Sequence, residues 1–200
     1  MKRPLSTTIA LGLTAALWAL TLQAAAAPSK TIIEDPLGDA NFVNDQGTGD
    51  GTFGDFNQAD AGSVSDITAV SLSNDKKNLI VTVETEGPPP AITPIGYRVR
   101  FNPDDSGTHC ILIEAYHPGS NGLMAPVAHF LDACEGGDPV EVELLGTTIV
   151  VPRKLSKAFG KGAKLTSPQA QAFVHSGAGV LQAGPTADTT LVGTDYKFKK

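Results

Sequence analysis

The residues most suited to chemistry are carboxylates set among glycines and amides between positions 34 and 66. From Glu34 the sequence runs Glu34-Asp35-Pro36-Leu37-Gly38-Asp39-Ala40-Asn41, then Asn44-Asp45-Gln46-Gly47-Thr48-Gly49-Asp50-Gly51-Thr52-Phe53-Gly54-Asp55, and reaches Asp66-Ile67. Residues 31–75 hold nine acids and not one Lys or Arg. A hard cation such as Ca²⁺ takes six to eight oxygen ligands, and glycine lets backbone carbonyls turn toward it. Asp35, Asp39, Asp45, Asp50, Asp55 and Asp66 are therefore the candidate metal ligands. The spacing is not that of an EF-hand loop, and one Gly-Thr-Gly-Asp-Gly stretch is too little for a nonapeptide Ca²⁺ repeat. Composition alone fits a solvated acidic loop equally well.

Catalytic signatures are sparse. Gly-x-Ser-x-Gly is absent, since Gly119-Ser120-Asn121-Gly122 has the wrong register, and so is His-Glu-x-x-His. The histidines are His109, His117, His129 and His175. His109 and His129 flank Cys110 and Cys134 in sequence, so a disulfide there could draw them together. Glu141/Glu143 and Asp104/Asp105 are carboxylate pairs of the kind glycoside hydrolysis uses. Glutamates alternating along a strand more often form the wet face of a sheet. The expectation is that no residue is catalytic; the alternative is a small secreted hydrolase working through carboxylates such as Glu141 or through His129.

The elements that must position these groups read as strands. Tyr97, Val99 and Phe101 alternate with Arg98, Arg100 and Asn102, and Val140, Val142 and Leu144 alternate with Glu141 and Glu143. That period of two marks a half-buried strand. Residues 67–72, 79–83, 111–113, 127–131 and 147–151 are apolar or β-branched runs of strand length. Turn chemistry separates them, as in Asn74-Asp75-Lys76-Lys77 and Pro118-Gly119-Ser120-Asn121-Gly122. Residues 152–160 fit a helical turn that turns Leu155 and Phe159 inward, and 170–174 read as a strand despite the helix-start pattern Ser167-Pro168. The expected fold is all-β: a single antiparallel β-sandwich of the jelly-roll or immunoglobulin-like class.

Ahead of the sandwich lies an export signal. Met1-Lys2-Arg3 is a basic opening, residues 7–22 are apolar, and the alanines 24–27 suit signal peptidase, with cleavage after Ala26. The division is thus 1–26 signal peptide and 27–200 one domain, with the acidic Gly-rich loop at about 35–66. The apolar run is only about 16 residues, short of the roughly 20 that span a bilayer. The protein is accordingly expected to be secreted or periplasmic, with no stable membrane insertion after cleavage. In that compartment an isolated pair of cysteines is most simply one disulfide, Cys110–Cys134. Closing that loop contributes about 3 kcal/mol.

The opening Asp35-Pro36-Leu37-Gly38-Asp39-Ala40-Asn41, the acidic loop, the Asp66-Ile67 strand start, Val150-Val151-Pro152-Arg153-Lys154 and the closing Ala187-Asp188-Thr189 with Gly193-Thr194-Asp195-Tyr196 resemble secreted bacterial DOMON-like β-sandwich modules. That group includes the ninth family of carbohydrate-binding modules and the C-terminal domains of some glucodextranases. The resemblance spans most of residues 31–198. It implies a structural Ca²⁺ on Asp35, Asp39 and Asp66, and recognition of a glycan. Sugar-binding members stack pyranose rings on exposed aromatic residues. Here the one Trp, Trp18, lies in the signal, which leaves Tyr116, Phe53 and Phe56 as candidate ligand-binding residues.

The charge pattern bounds the partners. Without the signal the chain carries 13 Lys and Arg against 21 Asp and Glu. That balance argues against nucleic acid, which needs clustered cations. Residues 153–200 hold eight bases against Asp188 and Asp195. They read first as solvated lysines offsetting the acidic loop, and second as a cationic stripe for anionic wall polymers or lipid headgroups. The leading expectation is a non-catalytic module that binds a glycan or a surface protein. A structural protein that assembles by pairing its oppositely charged zones is a further alternative.

Overall fold

A computed structural model of the chain describes residues 28–36, 66–87, 95–117, 125–174, 186–190 and 192–199. Residues 1–26, read above as an export signal, and residues 37–65 of the acidic segment lie outside these. Twelve strands are described: β1 (Lys30–Glu34), β2 (Ile67–Asn74), β3 (Asn78–Thr85), β4 (Ile95–Pro103), β5 (His109–His117), β6 (Val127–Asp132), β7 (Val140–Leu145), β8 (Thr148–Pro152), β9 (Lys164–Leu165), β10 (Gln169–Val174), β11 (Thr186–Thr189) and β12 (Tyr196–Lys197). Two short 3₁₀ turns, Arg153–Leu155 and Lys157–Phe159, follow β8. Among the described residues no helix is long and apolar enough to cross a membrane.

The fold is all-β and antiparallel, as the alternation implies. Ten strands form one hydrogen-bonded sheet in the order β1-β2-β3-β8-β7-β6-β5-β4-β10-β11, and β12 pairs with β9 in a separate two-stranded ribbon. Each stretch read as a strand from its pattern is one, including β10, where Ala170 and Ala172 face inward and Ser167-Pro168 starts no helix. Ser167 instead has φ +48° and turns the chain into β10.

The sheet rolls about a single core. Inward-facing Val70, Leu72, Val81 and Val83 of one half meet Tyr97, Val99, Phe101, Ile111, Ile113 and Phe130 of the other. β7 joins the halves, pairing with β6 on one side and β8 on the other. The far edges then approach. The Gly193 N–H donates to the Pro168 carbonyl at 2.8 Å, and the Thr194 N–H donates to the Ile32 carbonyl of β1 at 2.7 Å. One end of the roll is filled by aromatic rings. Phe159, from the second 3₁₀ turn, packs on Phe130 at 5.1 Å and on Phe198 at 5.6 Å. Leu155 is half-buried beside this cluster, so the inward turn expected at 152–160 is real but 3₁₀ in form. The disulfide joins Cys110, at the start of β5, to Cys134, just past β6, with a Cα–Cα separation of 4.9 Å.

Candidate functional site

Two of the six predicted metal ligands fall within the described residues. Asp35 and Asp66 stand where the acidic segment leaves β1 and enters β2, and those strands are neighbours. The Asp35 N–H donates to the Thr68 carbonyl at 3.0 Å, and the Glu86 N–H donates to the Asp66 carbonyl at 3.0 Å. Asp66 is 1 % exposed. Antiparallel pairing of β1, β2 and β3 thus gathers Asp35, Asp66, Glu84 and Glu86 at one end of the hairpin. An open depression beside them is lined by Thr68, Glu84, Thr85, Glu86 and Thr147. Glu84 and Glu86 escape sequence reasoning because only the β2–β3 register carries them to this end. Asp39, Asp45, Asp50 and Asp55, with Phe53 and Phe56, lie outside the described residues. Among the described residues no three His, Cys, Asp or Glu side chains form a metal cluster.

The second notable region is the outward face of β10, β4, β5 and β6. Register places Gln171 opposite Arg98, Arg98 opposite Glu114, Glu114 opposite His129, and His129 opposite Glu141 of β7. A polar row therefore crosses five strands. The alternation of β4 predicts Arg98 to be wet; instead it is 9 % exposed and Glu114 is 2 % exposed. Both nitrogens of the guanidinium fork reach one carboxylate oxygen, Nε at 2.7 Å and Nη2 at 2.5 Å from Glu114 Oε2. The guanidinium also lies 5.1 Å from the centre of the Phe173 ring. That ring covers Gly96, where a Cβ would run into its atoms. Tyr116, the predicted ligand-binding residue, pairs with Gly96 from the other side and is half-buried, and burial raises its phenol pKa.

Arg100 follows on the same face, opposite Gln169 and Leu112. Burial, with the nearby charge of Arg98, lowers its pKa. Tyr97 and His117 take the inner face, their rings edge to face at 5.9 Å. Burial raises the Tyr97 pKa and lowers that of His117.

Of the described groups a hydrolase could use, one pair meets: His129 of β6 lies directly opposite Glu141 of β7. The disulfide does not unite His109 and His129: His109 pairs with Pro103 and places Nε2 3.0 Å from the Ser167 carbonyl, whereas His129 sits mid-strand opposite Glu114. Asp104 spends its carboxylate on its own turn. Its Oδ1 accepts from Ser106 Oγ at 2.6 Å and from the N–H groups of Ser106 and Thr108, which hold its pKa below the ordinary carboxylate value. Glu141 and Glu143 are exposed on one side of β7, along an open depression with Asn78, Val150 and Pro152. His175 lies outside the described residues.

The basic zone does not surround the feet of the acidic segment. Arg153 donates its N–H to the Lys77 carbonyl at 2.7 Å, which ties the 3₁₀ turns to the β2–β3 turn. Asp35 and Asp66 stand at the opposite end of that hairpin, roughly 25 Å away for a strand of this length. The acidic residues between Asp35 and Asp66 that these lysines are read as offsetting lie outside the described residues.

A scan against protein-family models and searches of curated proteins and of solved structures return no match.

Proposed function

We propose that the chain is an exported, non-catalytic β-sandwich module that recognises a glycan or a surface protein and is stabilised by Ca²⁺. The observation that carries the reading is the outward face of β10-β4-β5-β6. On a rigid sheet it presents half-exposed Tyr116, His129, Gln169, Gln171 and Arg100 together. An aromatic ring beside amide and guanidinium donors is the combination that recognises polyols and peptide surfaces. The Ca²⁺ reading is supported separately by the donor set at the acidic segment's feet. Asp35, just past β1, and Asp66, just ahead of β2, are hard oxygen donors brought to one end of those paired strands, and they would supply two of the ion's ligands. Its contribution there would be structural, offsetting carboxylate charge and tying the end of β1 to the start of β2. The signal-like opening of the sequence and the disulfide fit an oxidising, extracytoplasmic compartment.

The experiment is thermal melting of the oxidised protein in excess Ca²⁺ and in EDTA, followed by a glycan-array and surface-protein screen in Ca²⁺ with Tyr116→Ala as the comparison. Ca²⁺ at 100 times its Kd adds about 2.7 kcal/mol, a shift of several degrees. Identical melts in Ca²⁺ and EDTA would remove the cation from the proposal. A screen with no binder, or binding untouched by Tyr116→Ala, would remove this face as the recognition surface.

A further inference from the structure

We propose that the outward face of the β9–β12 ribbon is a docking surface for a linear strong-acid glycan, a polysaccharide chain carrying sulfate or phosphate groups; the proposal goes beyond the recognition reading above by adding a second site, on a separate sheet, with its own ligand class. The ribbon has two unlike faces. Leu165, Tyr196 and Phe198 point into the core and are buried. Lys164 and Lys197 point out, exposed and directly opposite each other. The Phe198 N–H donates to the Ala163 carbonyl at 3.0 Å, which extends the ladder and puts Lys199 on the same outward face as Lys197. Lys161, also exposed, is in the turn that feeds β9.

Asn74 brings two more cations alongside. Its Oδ1 accepts from the Tyr196 hydroxyl at 2.8 Å and from the Lys199 N–H at 3.3 Å, which sets the ribbon next to the β2–β3 turn with Lys76 and Lys77. Acids nearby are engaged with backbone. Asp75 Oδ1 accepts the Lys77 and Asn78 N–H groups at 2.6 Å each, and Asp195 Oδ1 accepts the Ser167 N–H at 3.2 Å. Among the described residues, none of these six lysines forms an ion pair; the pairs found are Arg98–Glu114 and Lys157–Glu135.

Like charges directly opposite on paired strands destabilise the pairing. Two strands lie about 4.8 Å apart, so both ammonium groups of Lys164 and Lys197 can reach one anionic group held between them, and repulsion becomes coordination. The occupant follows from what the surface lacks. Its exposed cations are Lys, point charges that tolerate variable anion spacing, while the nearby guanidinium of Arg153 is committed to the Phe159 and Asp75 carbonyls and the Phe198 ring. The aromatic rings lie beneath the ribbon, so bases have nothing to stack on. No apolar side chain of the ribbon faces outward to enter a bilayer. A glycan with strong-acid groups needs neither.

The test measures binding of a heparin octasaccharide, with neutral dextran as control, to the purified protein and to the Lys164→Ser/Lys197→Ser variant at several salt concentrations. The proposal expects heparin binding without dextran binding. In the variant, affinity falls at least tenfold and the log–log salt slope falls by about two. The variant's melting midpoint stays equal or rises, because a repulsive pair has gone. Lys197→Gln alone gives a smaller loss in the same direction and guards against a misfolded double variant. Equal affinity in wild type and variants overturns the proposal, as does tighter binding to duplex DNA or phosphatidylserine vesicles than to heparin. A neutral glycan or surface protein bound equally by all three proteins, with no heparin binding, would overturn the ribbon while leaving the recognition reading intact.

Discussion

A charge buried on the outward side of a sheet is stable only with its counter-charge, and Arg98 has one in Glu114 at 2.7 Å from Nε. Removing one partner of a buried pair leaves an uncompensated charge, which costs about 3–5 kcal/mol, whereas an apolar replacement of both is often neutral. Glu114→Gln should therefore lower stability in urea by roughly that amount. Arg98→Met with Glu114→Leu should stay within about 1 kcal/mol of wild type. A single-variant loss below about 1 kcal/mol, the range of exposed pairs, would mean that the pair is solvated. His117 supplies a pH dependence. It is 8 % exposed, its Nε2 has no hydrogen-bond partner among the described residues, and burial lowers its pKa from 6.5. A basic group with a depressed folded-state pKa stabilises the fold fully above the unfolded value. That stability is lost as pH falls from 6.5 through the lower folded value. Urea midpoints should fall between pH 7.5 and 5.5, and His117→Phe, which keeps an edge-to-face ring for Tyr97, should flatten that fall. An equally steep fall in the variant would assign the dependence elsewhere.

At the scale of elements, β4 and β10 are fitted to each other through one glycine. Gly96 faces the Phe173 ring, and a Cβ there would overlap the ring atoms. Gly96→Ala should cost about 1–3 kcal/mol, the usual range for overpacking. Phe173→Leu in the same chain should return part of it, although it also removes the ring from Arg98; a double-mutant cycle in urea reads the coupling. Additive losses would show that Gly96 is there for another reason. The sequence makes this pairing hard to see. Strand identities were legible because β4 and β7 repeat apolar residues at period two, and the core residues Tyr97, Val99 and Phe101 follow from that alone. Which strands pair is a matter of register, so neither the Arg98–Glu114 contact, 16 residues apart, nor the approach of Glu86 to Asp66 could be read from spacing. β9 and β12 have two residues each, too short for any periodic signal. The disulfide was legible because the chain has only two cysteines.

The whole molecule depends on a seam. A ten-stranded sheet has two edges, and exposed edges invite pairing with other chains. Here residues 192–195, which follow the edge strand β11, bond to Pro168 just ahead of β10 and to Ile32 of the other edge strand, β1. Lys30 Nζ adds a bond to the Asp195 carbonyl at 2.8 Å. The fit is close because residue 193 is glycine: a Cβ there would collide with the Ile32 carbonyl and the Ile33 side chain. The obstacle is partly backbone, so it cannot swing aside as a flexible side chain would. Gly193→Ala should therefore push the segment off β1, breaking the Thr194 N–H bond to Ile32 and loosening the ring cluster that Tyr196 and Phe198 help build. The expected loss is about 1–3 kcal/mol in urea, with faster amide exchange at Thr194 than in wild type. Because β1 would then present free backbone groups, the variant should also self-associate more readily in light scattering at high concentration. An unchanged urea midpoint with unchanged exchange at Thr194 would mean that closure does not depend on this contact. A stability loss without added self-association would place the seam's role in packing the core and leave β1 protected by other means.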